Sequence, residues 1–171
     1  KAAVEMFVEA GANVALLDID RDKGEAVAKK IGKHVLFVHA DVSDPKQVIC
    51  AIQTVFDAFG KIDILINNAG IEYNDRGNIV TMPYRDLEHI MDVNLWGYVH
   101  MVRSCVPHMP PGGRVINIGS VQSLGALSPG TMYQVSKSGI LGLTHSLAIE
   151  LAPHEITVNA VAPGAISTKG M

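Results

Sequence analysis

The sequence predicts a three-layer αβα fold built on a doubly wound parallel sheet. Three observations carry that prediction. Short runs rich in Val, Ile and Leu recur along the chain, each bounded by charges or glycine. Longer helical segments lie between them, with capping residues at their starts and glycines at their ends. Strand and helix alternate throughout, which calls for parallel βαβ units, right-handed crossovers and helices on both faces.

The elements follow in order. Lys1 to Ala10 reads as the second half of a helix, closed by Gly11. Asn13 to Asp18 (NVALLD) is a buried strand ending on an acid. Arg21 to Ile31 is a helix stopped by Gly32, and Val35 to Ala40 (VLFVHA) is the next strand. Asp44 caps a helix with Pro45 at its first position, running to Phe59 and stopped by Gly60. Ile62 to Ile66 is a strand, Pro83 to about His108 a long helix, and Arg114 to Gly119 a strand. Thr131 to Leu151 is a second long helix, and Ile156 to Val161 another strand. No internal repeat or low-complexity segment interrupts the pattern. A doubly wound sheet calls for a strand and a phosphate-binding turn ahead of the first helix, and for further chain after the last strand. The expectation is one domain over 1–171, incomplete at both ends, with the sheet's first strand and a C-terminal part lying outside the chain.

Composition narrows the function. Hydrophobic residues make up 48% and charged residues 18% of the 171, enough for a sizeable core. The net charge is −3 with no basic run, which argues against nucleic acid or an anionic membrane as partner. No apolar stretch reaches the length of a bilayer span. Cys50 and Cys105 both fall in helical segments and read as buried free thiols, in keeping with a reducing, cytoplasmic setting. The seven histidines lack metal-ligand spacing, so no metal site is expected.

The chemistry concentrates late in the chain. Tyr133 and Lys137 are four residues apart at the start of a helix, which puts phenol and ammonium on one face, about one turn apart. A free tyrosine, with a pKa of about 10, is a poor base at neutral pH, and a neighbouring cation favours its phenolate. Ser120 ends an apolar strand, and strand ends are where open α/β sheets place ligands. A hydroxyl there can hold a substrate oxygen while the tyrosine moves its proton. Alone, this spacing also fits an exposed helix pair.

Further motifs line up with it. Asp18 is an acid at a strand end, able to accept from both hydroxyls of an adenosine ribose and to repel a 2′-phosphate. A solvated strand-end aspartate is the other reading. Arg21 would favour the phosphorylated cofactor, but Asp18 stands first off the strand. Asp41-Val42 follows the next strand; its carboxylate either accepts from an adenine amino group or caps the turn at Ser43-Asp44. Asn67-Asn68-Ala69-Gly70 ends a buried strand with small and amide residues that let the backbone pass close to a ligand. Asn94 lies among apolar helix residues, where an amide bonds a backbone carbonyl and makes room for a water; a purely structural role is the other reading. Pro163-Gly164, with Ile166 and Thr168, forms a turn after the last strand.

Together these residues resemble the short-chain dehydrogenase/reductase family in its compact form, over nearly the whole chain. The resemblance rests on Asp18, Asp41-Val42, Asn67-Asn68-Ala69-Gly70, Asn94, Ser120, Tyr133-x-x-x-Lys137 and Pro163-Gly164-x-Ile166-x-Thr168, in the family's order. It implies a Rossmann-type fold, a nicotinamide cofactor, and reversible oxidation of an alcohol to a carbonyl. By that resemblance Tyr133 is the general acid/base, Lys137 tunes it and holds the nicotinamide ribose, and Ser120 orients the substrate oxygen. Asn94 supports a water in the proton relay. Asp18, with Ile19 beside it, implies NAD rather than NADP. Asp41, Val42, Asn68, Ala69, Gly70, Pro163, Gly164 and Ile166 line the cofactor, and Thr168 contacts its carboxamide. One departure is large: the family's Thr-Gly-x-x-x-Gly-x-Gly turn, which belongs immediately before Lys1, is absent from the chain, and the intact protein is expected to carry it.

The substrate is expected to be a small alcohol or ketone contacted by Ser120, Gln122 and Tyr133. Ile71, Glu72, Tyr73 and Leu127 complete the candidate pocket. Gln122 and Glu72 suit a sugar, polyol or hydroxy acid, whereas Leu127, Tyr73 and Met132 suit an apolar ligand. Compact family members commonly form tetramers through their two long helices, so the resemblance implies a homo-oligomer, tetramer or dimer. The small residues of Ser138-Gly139-Ile140-Leu141-Gly142-Leu143 permit such packing or equally serve the monomer core. Two rival functions remain: a noncatalytic nucleotide-binding regulator or scaffold of the same fold, and an epimerase or dehydratase using the same tyrosine with tightly bound NAD.

Overall fold

The computed structural model of the protein describes residues 1–72, 79–125 and 130–166. Helices and strands alternate as α1 (Ala2–Glu9), β1 (Val14–Asp18), α2 (Arg21–Ile31), β2 (Val35–His39), α3 (Pro45–Phe59) and β3 (Ile64–Asn67). Then come α4 (Tyr84–Met91), α5 (Gly97–Cys105), β4 (Arg114–Ile118), α6 (Thr131–Leu151) and β5 (Thr157–Val161). The Rossmann-like αβα arrangement with parallel strands matches the predicted class. The strands form two parallel ladders. In one, β1 pairs with β2 from Val14↔Val35 to Asp18↔His39. In the other, β4 lies between β3 and β5. Among the described residues β1 and β3 share no ladder, yet one core joins them. Ala15, Leu17 and Val38 pack against the cluster that contains Val48, Ile52, Leu65, Val102, Val115 and Val158.

Local chemistry sets the helix ends. Asp44 accepts from Lys46 N–H at 2.9 Å and Gln47 N–H at 3.4 Å, satisfying donors the first turn of α3 leaves open. Gly60 ends that helix at φ 75°, in the left-handed region. Asp20 caps α2 through Lys23 N–H at 3.0 Å. Within α2, Gly24 lets the helix lie flat on β2, because a Cβ there would sit 2.0 Å from the Phe37 ring.

Four expectations change. The helix foreseen over Pro83 to about His108 is broken in the middle by a π-helical turn over Asp92–Trp96 and ends in a 3₁₀ turn over Val106–His108 that contains Pro107. The strand foreseen from Ile62 begins at Ile64, because Ile62 N–H bonds His108 C=O at 3.1 Å instead of joining the ladder. The last strand likewise starts at Thr157. Cys105 is buried, but Cys50 is exposed; both are free thiols. Burial pushes the Cys105 thiol up to about 12.

A chain of buried side chains crosses beneath the carboxyl ends of β3 and β4. Asn67 Nδ2 donates to Asn117 Oδ1 at 2.9 Å, and Asn117 Nδ2 donates to Thr144 Oγ1 at 3.0 Å. Thr144 Oγ1 then donates to Ile140 C=O at 2.7 Å on α6. Each partner satisfies a polar group that burial would otherwise penalise. Together they fix α6 against the sheet ends. Among the described residues no helix is long and apolar enough to cross a membrane.

Candidate active site

The site forms where β3 and β4 end and α6 begins. Ser120 follows β4 and is buried, and a short 3₁₀ turn, Val121–Ser123, carries the chain away from it. Ser120 Oγ accepts from Gln122 N–H at 3.2 Å, which leaves the serine's own hydrogen to donate. The turn is held from outside. Gly119 N–H bonds Val161 C=O at 2.8 Å, and Val121 N–H bonds Pro163 C=O at 2.9 Å. Pro163 thus braces the serine through its carbonyl, while Gly164 and Ile166 are exposed.

Lys137 is the most consequential side chain. It lies on α6 with only 4% of its surface exposed. Its Nζ donates to Ile118 C=O at 2.9 Å, and Tyr98 OH donates to the same carbonyl at 3.0 Å. The ammonium stands 5.8 Å from the Tyr133 ring centre and 5.6 Å from that of Tyr98, within cation–π range. Burial brings the Lys137 ammonium down from its ordinary 10.5 to about 8. Tyr98 is held well above its ordinary value, first by burial and then by the charge of Tyr133, so it stays a neutral donor. Tyr133, one turn before Lys137, is half-buried.

Asn94 is fully buried in the π-helical turn. Its amide treats Ile71 as a strand neighbour would. Oδ1 accepts from Ile71 N–H at 2.7 Å, and Nδ2 donates to Ile71 C=O at 3.0 Å. Nδ2 also reaches Ser136 Oγ at 3.1 Å, and that hydroxyl donates to Tyr133 C=O at 2.7 Å. Asn94 therefore links the segment after β3 to the first turn of α6. Asn68, Ala69 and Gly70 are exposed at this end of the sheet. A Cβ on Gly70 would lie 3.4 Å from both Lys137 Nζ and Asn94 Oδ1, so the backbone here runs directly over the charged group.

The other sequence-predicted residues begin with those at the end of the β1–β2 ladder. Asp18 is exposed at the end of β1, and its Oδ1 accepts from Asp20 N–H at 2.9 Å. Ile19 is exposed, with its carbonyl at 3.1 Å from His39 Nε2. Arg21 leans along its helix to Glu25 at 3.6 Å. Asp41 Oδ1 takes the N–H and hydroxyl of Ser43 at 2.9 and 2.7 Å, which is the turn-capping arrangement. Val42 packs against α5, since a Cβ on Gly97 would come within 2.9 Å of it, and its carbonyl lies 3.1 Å from His100 Nδ1. Gln122 sits two residues after Ser120, and Ile71 and Glu72 follow the Gly70 turn. Tyr73, Leu127 and Thr168 lie outside the described residues. Sequence reasoning passed over Tyr98, Ser123 and Ser136. Tyr98 stands four residues after Asn94 and Ser136 directly before Lys137, so helical spacing offered a signal for both.

The arrangement brings a phenol, a hydroxyl donor and a buried ammonium to the carboxyl edge of a parallel sheet. It is equipped to move a proton at a substrate oxygen. Comparisons with known proteins agree in architecture. The family model described as enoyl-(acyl carrier protein) reductase matches residues 1–171. The 3-alpha-(or 20-beta)-hydroxysteroid dehydrogenase of Mycobacterium tuberculosis is 37% identical over 167 residues, covering 96% of this chain and 64% of that protein. The 2-(R)-hydroxypropyl-CoM dehydrogenase of Xanthobacter autotrophicus is 37% identical over 174 residues, covering 98% and 70%. A 3-ketoacyl-(acyl-carrier-protein) reductase from Brucella melitensis, solved with NADH, superposes with a TM-score of 0.89 at 32% identity, covering 94% of this chain and 69% of that one. A short-chain dehydrogenase/reductase variant from Serratia marcescens gives a TM-score of 0.92 at 34% identity, covering 99% and 70%. The chain spans 64% of the length of the first curated relatives it matches.

Proposed function

Since the chain belongs to the short-chain dehydrogenase/reductase family, we propose that it is the main part of an NAD-dependent oxidoreductase that interconverts a secondary alcohol and its carbonyl. The observation that carries this reading is the buried Lys137 ammonium, 5.8 Å from the Tyr133 ring, beside a strand-end serine. A bound nicotinamide would supply or accept the hydride. The residues present fit such a group. Asn68, Ala69 and Gly70 are exposed, and Gly70 has no side chain to keep a ligand from Lys137: a Cβ there would reach within 3.4 Å of its Nζ.

In the oxidative direction Tyr133 takes the proton from the substrate hydroxyl. Positive charge at Lys137 Nζ stabilises the phenolate that makes this possible. Ser120 donates its remaining hydrogen to the substrate oxygen and keeps it beside the phenol. Asn94 fixes the start of α6 through Ser136, and the proton relay passes through Lys137. In reduction the same groups run backwards. Asp18 selects NAD: its exposed carboxylate accepts from ribose hydroxyls and repels a 2′-phosphate, while Arg21 is turned to Glu25. Asp41, Pro163, Gly164, Ile166 and Thr168 complete the cofactor contacts in this reading.

Residues 1–171 belong to a single dinucleotide-binding oxidoreductase domain, working in a reducing cytoplasm on a small molecule. The exposed apolar residues Trp96 and Ile149, on the two long helical segments, support assembly into a homo-oligomer. The test is a panel of secondary alcohols with the full-length protein and NAD, with Tyr133→Phe beside it. The variant should lose about 10²- to 10⁴-fold in kcat while binding NAD as before. A Tyr133→Phe protein that keeps most of its kcat would sink the mechanism.

A further inference from the structure

Ser123 belongs to no motif of the reading above, yet it holds two parts of the site together. Its Oγ accepts from Ser120 N–H at 3.1 Å and donates to Lys137 C=O at 2.8 Å. One hydroxyl thus uses an acceptor and its only donor to join the serine of β4's end to the lysine of α6. The first of these bonds is half of a reciprocal capping box between Ser120 and Ser123. The surrounding donors are committed elsewhere: Gly119 N–H to Val161, Val121 N–H to Pro163, and Ser123 N–H to Ser120 C=O at 2.8 Å. A second hydrogen bond between this turn and α6 among the described residues is peripheral: exposed Ser138 Oγ reaches Ser123 C=O at 3.5 Å. Room for the hydroxyl is made at Gly119, where a Cβ would stand 3.1 Å from Ser123 Oγ.

We propose that Ser123 is a positioning residue for catalysis, setting the separation between the Ser120 hydroxyl and the Tyr133–Lys137 helix. The proposal rests on the oxidoreductase reading for its consequence, though not for its geometry. Removing the Oγ frees Ser120 N–H and unties the turn from Lys137 C=O. The Lys137 ammonium keeps its bond to Ile118, and the residues assigned to the cofactor outside α6 are untouched.

The test is Ser123→Ala in the full-length protein, read in two ways. Hydrogen exchange at single-residue resolution needs no substrate. The Ser120 amide should exchange at least about tenfold faster, while the Gly119 and Val121 amides keep their rates. Turnover with the best alcohol should fall about tenfold in kcat. The Kd for NAD and the pH dependence of kcat/KM should stay as in the parent, because Lys137 is unchanged. An unaltered Ser120 exchange rate, or a kcat within twofold of the parent, would overturn the proposal. So would a uniform rise in exchange at all three amides with a matching loss of NAD binding, since that marks general destabilisation. Tyr133→Phe in the same assay separates the two ideas. If that variant stays active the oxidoreductase mechanism fails, and the exchange result still decides whether Ser123 ties the turn to the helix.

Discussion

Replacing Lys137 by methionine should make the protein more stable near neutral pH while abolishing turnover. Burial lowers the Lys137 ammonium from 10.5 to about 8. At 1.36 kcal/mol per pKa unit, holding the charge inside costs about 3 kcal/mol once the pH is well below that value. Methionine fills a similar volume without the charge. It gives up the 2.9 Å bond to Ile118 C=O, but Tyr98 OH still donates to that carbonyl at 3.0 Å, so the loss is about 1 kcal/mol. The net gain at about pH 7 is about 1 to 3 kcal/mol. The sign of its pH dependence follows from proton counts. Between about 8 and 10.5 the unfolded chain holds the lysine proton and the native chain has released it. The parent therefore gains stability as pH rises through that window, and the variant does not. Urea denaturation of both proteins at about pH 7 and about pH 9.5 reads this, and comparing them cancels the titrating groups that Lys137 does not touch. The gap between them should shrink by about 2 kcal/mol at the higher pH. A Lys137→Met protein less stable than the parent near neutrality, or a gap that does not narrow, would refute the claim that the charge is held at a cost.

Other outcomes follow from named contacts. Asp18→Ser should weaken NAD binding and bring NADP affinity up towards it, measured by calorimetry with both cofactors; an unchanged ratio would remove Asp18 from the ribose site. Gly24→Ala should destabilise by about 1 to 3 kcal/mol, because its Cβ would land 2.0 Å from the Phe37 ring, and Phe37→Leu added to it should recover part of the loss. A thiol reagent at about pH 8 should label Cys50 quickly and Cys105 only on unfolding, since Cys105 is buried with its thiol held up to about 12. Equal labelling rates in the native protein would contradict that burial.

What the sequence disclosed is mostly what local chemistry decides. Asp44, Pro45 and Gly60 bracket α3 as written, because caps and left-handed stops act within a few residues of themselves. Cys50 was misread as buried although the pattern pointed the other way: α3 buries Val48, Ala51, Ile52 and Val55, and Cys50 falls off that stripe. Ser120, Tyr133 and Lys137 could be picked out by spacing, yet the depth of Lys137 could not, since it depends on Tyr98 and Ile118 arriving from other elements. The π-helical turn was hidden for the same reason. Asn94 meets Ile71, 23 residues earlier in the chain, and no periodicity encodes that meeting. Ser123 looked like a loop serine until α6 placed a carbonyl beside it. The β1–β2 and β3–β4–β5 ladders were foreseen as parallel, because buried strands alternating with helices leave little alternative.

The row from Asn67 through Asn117 and Thr144 to Ile140 runs in one sense only, each member giving a hydrogen to the next. Such a row can tell nitrogen from oxygen, two atoms that packing alone scarcely separates. An aspartate at 117 would have the same outline and could still receive from Asn67, but it would have nothing to hand on to Thr144. The threonine, already giving its hydrogen to Ile140, would face the carboxylate lone pair to lone pair. Loss of one amide by chemical ageing would thus reverse an attraction in the middle of the protein without changing its shape. The helix that bears Lys137 would register the change, although the altered atom is fully buried.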